Sequence, residues 1–199
     1  MAYDFNFTFF ERPYTMRKLL LVLLLFPVLT FAQANRPAWS KTVEEYYTRF
    51  NEMADDPFKC DDSPASAAAR IRAIVVKDVK NGYIRAKTTM GILEVAVFKD
   101  AAAQTEYVLY QLDGGPHNMC TTDLRVMVYK NGKWTEKPDL LPQNKISEAN
   151  AKQPIRANMD SYLAYKLPQK GTTVTATWKS SGKRVFALRW EKGKFVFVP

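Results

Sequence analysis

The sequence predicts an α+β fold in which N-terminal helices pack on antiparallel β-sheets built from hairpins and meanders. Apolar residues recur at helical spacing over residues 41–54. Two Asn-Gly pairs, at 81–82 and 131–132, separate runs rich in β-branched residues, and Asn-Gly is the strongest short-range signal for a hairpin. Three further apolar runs with polar-Gly turns between them fill residues 174–198. These observations favour helices first and sheets afterwards.

The chain begins with what we interpret as a secretory leader over residues 16–34. A cationic start at 16–18, an apolar run from Leu19 to Phe31 and an Ala-Gln-Ala ending are the parts of a signal peptide. The apolar run is shorter than the about 20 residues that a membrane span needs, although an uncleaved anchor is the alternative interpretation. Residues 1–15 include two acids, which suit a signal peptide poorly. We therefore expect translation to begin at Met16 and the upstream Met1 to be a wrongly assigned start.

The leader predicts a periplasmic or secreted protein whose residues 35–199 form a single exported α+β domain. No later segment is as apolar as the leader, so we expect no transmembrane segment in the mature chain. Residues 41–54 are predicted as an amphipathic helix, with Thr42 and Glu45 as its capping box. Ser63 and Pro64 have the types of an N-cap and a first helical residue, and predict a short helix that runs to about Ile71.

Strands dominate after that point. We expect Ile74 to Val76 to pair through the first Asn-Gly turn with the next strand, and a short helix cut by Pro154 within residues 144–160. The other predicted strands are 83–88, 92–98, 107–112, 124–130, 174–178, 184–190 and 195–198. Alternation along the last strands places Trp178 and Trp190 inward as core residues.

A polar-Gly turn followed by an aromatic residue occurs three times, before Tyr83, Trp134 and Phe195. One interpretation is a pair of related β units, over residues 74–142 and 160–199. Repeated use of the same hairpin chemistry explains the pattern equally well.

Two cysteines, Cys60 and Cys120, follow the leader. An even number of cysteines in an exported chain predicts a disulfide, because the compartment is oxidising. In the chain-entropy model, a disulfide that closes a loop of roughly 60 residues stabilises the folded state by about 4 kcal/mol. The competing interpretation is a reactive thiol at Cys120 with His117 three residues before it.

Charge is concentrated at the C-terminal end of the chain. Residues 35–142 hold 15 Lys/Arg and 15 Asp/Glu, whereas residues 143–199 hold 11 Lys/Arg and 3 Asp/Glu. Such asymmetry indicates either a surface for an anionic partner, which in an exported protein favours an envelope polymer over nucleic acid, or solvated lysines on turns. The candidate residues of that surface are Lys179, Lys183, Arg184, Arg189, Lys192 and Lys194.

The segment 113–120 has the most unusual composition. Its two glycines, its proline and its cysteine predict a fixed loop, which is a common place for ligand binding. The alternative is a tight turn tethered through Cys60. The candidate ligand-loop residues are Gly114, Gly115, His117 and Asn118.

The motifs for catalysis and cofactors are missing from the sequence. Because His117 is the only histidine, a multi-histidine metal site is excluded, and the chain has no G-x-S-x-G elbow, P-loop or dinucleotide fingerprint. We therefore expect no metal, no cofactor and no identifiable catalytic residue.

The run from Lys80-Asn81-Gly82-Tyr83 to Leu141-Pro142, with Tyr165-Lys166-Leu167-Pro168 and Trp190 further along, resembles small secreted or periplasmic bacterial proteins of unknown function. The resemblance covers residues 74–195. Its motifs are hairpin turns and core aromatics, so it implies a fold and carries over no catalytic residue.

Three functional hypotheses follow from the sequence. The first is a non-enzymatic binding or envelope-associated protein, whose partner is an anionic envelope polymer or another exported protein. The second is a protein–protein interaction or inhibitor module that uses a sheet face. The third is a hydrolase that acts on envelope material through a pair of carboxylates.

Overall fold

A computed structural model describes residues 37–53, 66–88, 91–114, 124–152 and 162–199. The chain divides into two compact units, Met1–Ala38 and Trp39–Pro199. Almost all described residues belong to the second unit, whose fold is given below. The leader over 16–34, both cysteines, and Ser63 and Pro64 lie outside the described residues, so the leader and the disulfide remain predictions.

The first half of the unit forms a six-stranded antiparallel sheet, sheet A, with strand order β1-β2-β3-β4-β5-β6. Its strands are β1 (Ile74–Asp78), β2 (Tyr83–Lys87), β3 (Ile92–Asp100), β4 (Thr105–Asp113), β5 (Arg125–Lys130) and β6 (Lys133–Glu136). Strand order follows chain order throughout, which is the meander that consecutive hairpins predict. The second Asn-Gly pair forms the β5–β6 turn as expected, with positive φ at Asn131 and Gly132 (53° and 76°).

The C-terminal residues form a second antiparallel sheet, sheet B, with strand order β10-β9-β8-β7. Its strands are β7 (Leu163–Lys166), β8 (Thr173–Trp178), β9 (Arg184–Glu191) and β10 (Lys194–Val198). The last three were predicted within one or two residues. The sequence did not predict β7, a strand of only four residues without strict alternation.

The helices are short and mostly N-terminal. They are α1 (Val43–Thr48), which continues as a 3₁₀ turn over Arg49–Glu52, α2 (Ala67–Arg72) and α3 (Gln143–Asn150). The predicted capping box is confirmed, since Thr42 Oγ1 accepts from Glu45 N–H while Glu45 Oε2 accepts from Thr42 N–H. Helix α2 begins after its N-cap Ser66, whose hydroxyl accepts from the backbone N–H of Ala69, so the cap lies three residues later than the predicted cap at Ser63.

Two apolar clusters lie on the two faces of sheet A. Aromatic residues of α1 and its 3₁₀ turn pack on one face, where Phe50 contacts Tyr110 and Trp134 at ring-centroid distances of 5.2 and 5.5 Å. Sheet B and α3 contribute to the cluster on the other face. There Phe98 of sheet A meets Phe195 of sheet B edge-on at 5.1 Å. Sheet A is thus the middle layer, which explains why its central strands are buried on both sides.

Polar side chains of sheet A satisfy the outer edge of β7. Gln111 Nε2 donates to the carbonyl of Tyr165 while Gln111 Oε1 accepts from Tyr165 N–H at 3.1 Å. Leu167 N–H donates to Glu94 Oε2 at 3.0 Å. Glu94 and Gln111 are cross-strand partners in sheet A. Together their side chains bind the outward backbone groups of β7 and of Leu167, which a neighbouring strand would otherwise bind.

The substitution Gln111→Leu is predicted to destabilise the fold by about 2–3 kcal/mol, because it leaves the buried N–H and C=O of Tyr165 without these partners. Urea unfolding measures the change. Gln143→Leu, at an exposed position of α3, is the matched control and should change stability by less than about 0.5 kcal/mol. Equal effects of the two substitutions would contradict the edge-closing role of Gln111.

Candidate functional site

The carboxylate of Glu106 is completely buried and collects four donors. They are Ser40 Oγ (2.6 Å), Lys41 N–H (2.7 Å), Tyr46 OH (2.7 Å) and Lys99 Nζ (3.2 Å). Glu106 belongs to β4, whereas three of its four partners belong to α1 and the segment that leads into it. The cluster therefore fastens the N-terminal segment to the middle layer of the fold.

Ser40 and Lys99 have the types of a nucleophile and its base, and Lys99 Nζ lies 3.2 Å from Ser40 Oγ. Two observations favour a structural role for the pair. Ser40 donates its hydroxyl proton to Glu106 and is only 4% exposed. Lys99 Nζ forms an ion pair with the same buried carboxylate, at 3.2 Å from Glu106 Oε1.

Glu94 is the second buried carboxylate, and it lies on the opposite face of sheet A. Tyr83 OH donates to Glu94 Oε1 at 2.6 Å, and Arg85 Nε approaches the same oxygen at 4.0 Å. Burial raises the pKa of the Tyr83 hydroxyl above its usual range, and its hydrogen bond to Glu94 raises the pKa further. Since Leu167 N–H occupies the other oxygen, both oxygens of Glu94 hold the structure together.

Asp113 ends β4 and begins the segment predicted as a ligand loop. Tyr162 OH donates to Asp113 Oδ1 at 2.9 Å, and Lys179 Nζ forms an ion pair with Oδ2. Lys179, predicted as part of the cationic surface, is therefore held beside the start of the predicted loop. Gly114 is described and half-buried, whereas Gly115, His117 and Asn118 lie outside the described residues, so the loop stays a prediction.

The start of the loop is fixed by a close backbone contact. A Cβ atom built on Gly91 would lie 2.0 Å from the carbonyl oxygen of Asp113 and 2.7 Å from Cα of Gly114. Only glycine fits at position 91, where φ is +155°. The chain before β3 therefore crosses directly against the chain after β4.

The six predicted cations fall into two groups at opposite ends of sheet B. One group, Lys179, Lys183 and Arg184, lies at the β8–β9 turn, and the other, Arg189, Lys192 and Lys194, lies at the β9–β10 end. Seven residues separate the start and end of β9, which corresponds to about 23 Å. The structure does not bring all six together.

The second group shares the outer face of sheet B with one further cation, Lys166. The register places Lys166 beside Thr175, Arg189 beside Thr173, and Lys194 beside Glu191, all on the face of sheet B that points away from sheet A. Lys192 lies in the β9–β10 turn at the same end of the sheet. We call this exposed set, Lys166, Arg189, Lys192 and Lys194, the outer basic surface.

The tryptophans of sheet B lie where alternation predicts. Trp178 is buried, and Trp190 is partly buried with its ring 5.7 Å from Phe98 and 5.1 Å from Tyr107. The Trp190 side chain therefore contributes to the contact between the two sheets.

Among the described residues, no group of three or more His, Cys, Asp and Glu side chains has the arrangement of a metal site. Within the same part of the chain, no helix has the length and apolar character needed to span a bilayer. No protein-family model, curated protein or solved structure matches the chain.

Glu106→Gln is predicted to lower the free energy of unfolding by about 2–3 kcal/mol, because an amide at this position turns an N–H toward donors that need an acceptor. Chemical denaturation measures the loss. Glu148→Gln, the same substitution in the exposed pair with Lys145, should cost less than about 0.5 kcal/mol. The structural role of the cluster is refuted if Glu106→Gln is as mild as its control.

A pH dependence follows from Tyr83. In the unfolded chain tyrosine titrates near pH 10, whereas the folded protein retains the Tyr83 proton to higher pH. The contribution of the protonated Tyr83 hydroxyl to stability is therefore complete below about pH 10, and it is lost as the pH rises toward the pKa of Tyr83 in the folded protein. From about pH 10 upward, the stability of Tyr83→Phe should fall less steeply than that of the wild type, by at most about 1.4 kcal/mol per pH unit. Urea titrations at several pH values test this, and parallel curves would contradict it.

Proposed function

We propose that this protein is exported and works as a non-enzymatic binding protein that holds an anionic envelope polymer on the outer basic surface. The observation that carries the proposal is the distribution of charge in sheet B. Residues 162–199 contain eight Lys/Arg and a single acid, Glu191, which gives a net charge of +7. The leader over 16–34 supports the location of the partner outside the cytoplasm.

The packing of sheet B directs these charges away from the core. Its inner side chains are apolar and pack on sheet A, and they include Val174, Phe186, Leu188 and Phe195. The cations must therefore project from the outer face, the edges and the turns. A layer with one apolar side and a strongly basic other side favours long-range attraction of a polyanion.

The spacing of the cations on the outer face suits an extended ligand. With strands about 4.8 Å apart and a rise of about 3.3 Å per residue, the Cα atoms of Lys166 and Arg189 are about 12 Å apart. Those of Arg189 and Lys194 are about 8 Å apart in the same diagonal direction. The line of charge is thus about 20 Å long, enough for several units of a linear polymer.

Threonine side chains lie between these cations. Thr173 is the cross-strand neighbour of Arg189, and Thr175 is that of Lys166. Hydroxyl groups beside cations donate and accept hydrogen bonds, so the surface offers contacts to sugar hydroxyls as well as to anionic groups. This combination supports an acidic polysaccharide or a phosphate-containing polymer as the ligand class.

The hydrolase hypothesis gains no comparable support from the described residues. Their two buried glutamates, Glu94 and Glu106, each use both oxygens to accept hydrogen bonds that join segments of the fold. A general acid needs a proton on one of those oxygens at working pH, and the protonated form would lose acceptor capacity for these donors.

The triple substitution Lys166→Gln, Arg189→Gln and Lys194→Gln is predicted to weaken binding to alginate, a polyuronic acid, and to long-chain inorganic polyphosphate. If counterion release governs binding, the slope of log K against log salt should become shallower by roughly 0.7–0.9 for each lost ion contact. Titration at several salt concentrations measures both quantities, and the two polymers separate carboxylate from phosphate recognition.

The matched control removes the same charge from sheet A through Lys87→Gln, Lys130→Gln and Lys133→Gln, all at exposed positions. Binding by the control should stay close to wild type. An equal loss of affinity in both variants would mean that net charge alone controls binding and would contradict a specific surface. Binding that is insensitive to salt would also contradict the proposal.

A further inference from the structure

We propose that two copies of this chain pair through β10, edge to edge and antiparallel, so that their two B sheets become one eight-stranded sheet. The inference is independent of the polymer proposal, since it rests on the backbone of β10 and the arrangement of residues 194–199. The partner is a second copy because the edge is complementary to itself.

The hydrogen-bonding direction of each residue in β10 follows from the register. Trp190 N–H donates to Thr172 O, so the even-numbered residues of β9 direct their backbone groups toward β8. The odd-numbered residues of β9 therefore face β10, where Ala187, Arg189 and Glu191 pair with Val198, Val196 and Lys194. It follows that the N–H and C=O groups of Phe195 and Phe197 point away from β9, at the outer edge of the sheet.

The other edge of sheet B is already closed. Gln111 and Glu94 bind the outward groups of Tyr165 and Leu167 at the edge formed by β7. Among the described residues, β10 has a single strand neighbour, β9. A strand edge of this kind is a template for pairing with another chain.

One register uses the outward groups of β10 most fully. If a twofold axis passes beside Val196, Phe195 of each copy faces Phe197 of the other, and these two hydrogen-bonded pairs form four bonds. A register centred on Phe197 would place Phe195 opposite Pro199, which has no N–H to donate. A register centred on Phe195 would place Phe197 opposite the turn residue Gly193.

The side chains favour the same register. Val196 meets its own symmetry mate on the outer face, and the phenylalanines meet on the inner face, where Phe186 and Phe197 are already in contact at 4.8 Å. Lys194 stands opposite Val198 of the second copy, which keeps the two Lys194 side chains about 13 Å apart along the strands. That distance exceeds the Debye length of about 8 Å at physiological ionic strength, so repulsion between them is screened.

A cysteine introduced at position 196 tests the register directly. Val196 lies in the non-hydrogen-bonded pair on the twofold axis, where Cα atoms are about 4.5 Å apart, within the range that a disulfide bridges. Val196→Cys should form a reducible covalent dimer on mild oxidation of the purified protein, as seen on a non-reducing gel. Thr173→Cys is the matched control, since Thr173 lies in the same cross-strand row on β8, and it should stay uncoupled.

In a second experiment, light scattering measures the molar mass of the wild-type protein at concentrations from about 1 μM to about 1 mM. The proposal expects a rise toward twice the mass of one chain, and Val196→Lys should raise the dissociation constant at least about tenfold, whereas Thr173→Lys should not. A wild-type monomer at every concentration would overturn the proposal. So would a wild-type dimer combined with a Val196→Cys variant that couples no faster than Thr173→Cys, because the pairing would then use another surface.

Discussion

The fold depends on two polar side chains in the middle of an apolar interface. Apolar packing between sheets A and B supplies attraction without direction, since it scales with the area removed from water. Glu94 and Gln111 supply the direction, because their hydrogen bonds are satisfied only when Tyr165 and Leu167 of sheet B stand opposite them. A displaced sheet would leave these buried groups without partners, which is costly in a medium of low polarity.

The same device operates on the other face of sheet A. Glu106 accepts the backbone N–H of Lys41 and the hydroxyl of Tyr46, just as Glu94 accepts the backbone N–H of Leu167 and the hydroxyl of Tyr83. One glutamate on each side of the central sheet thus positions a segment from elsewhere in the chain. Both acids lie in central strands, and each accepts hydrogen bonds from the neighbouring layer within an otherwise apolar interface.

Local signals in the sequence predicted local structure well. The capping box at Thr42 and the turn at Asn131 depend on residues within three or four positions, and both are present as expected. The cross-strand and inter-sheet polar contacts were missed, because Gln111 and Tyr165 are 54 residues apart and Glu94 and Leu167 are 73 apart. Glu94 in particular alternates with apolar neighbours, which is also the pattern of a residue that faces solvent. The candidate cations were predicted from composition, which gives an excess of charge but no positions, and the structure places them at two ends of sheet B.

Closure of the β7 edge has a consequence for stoichiometry. A sheet that is open on both sides can recruit copies without limit, and growth then yields a filament. In sheet B, side chains of the same molecule occupy the β7 edge, so another strand could be added only at the β10 edge and only once. Gln111 and Glu94 would therefore limit such assembly to one side, and the pairing proposed through β10 would give a finite, symmetric dimer with both basic faces turned the same way.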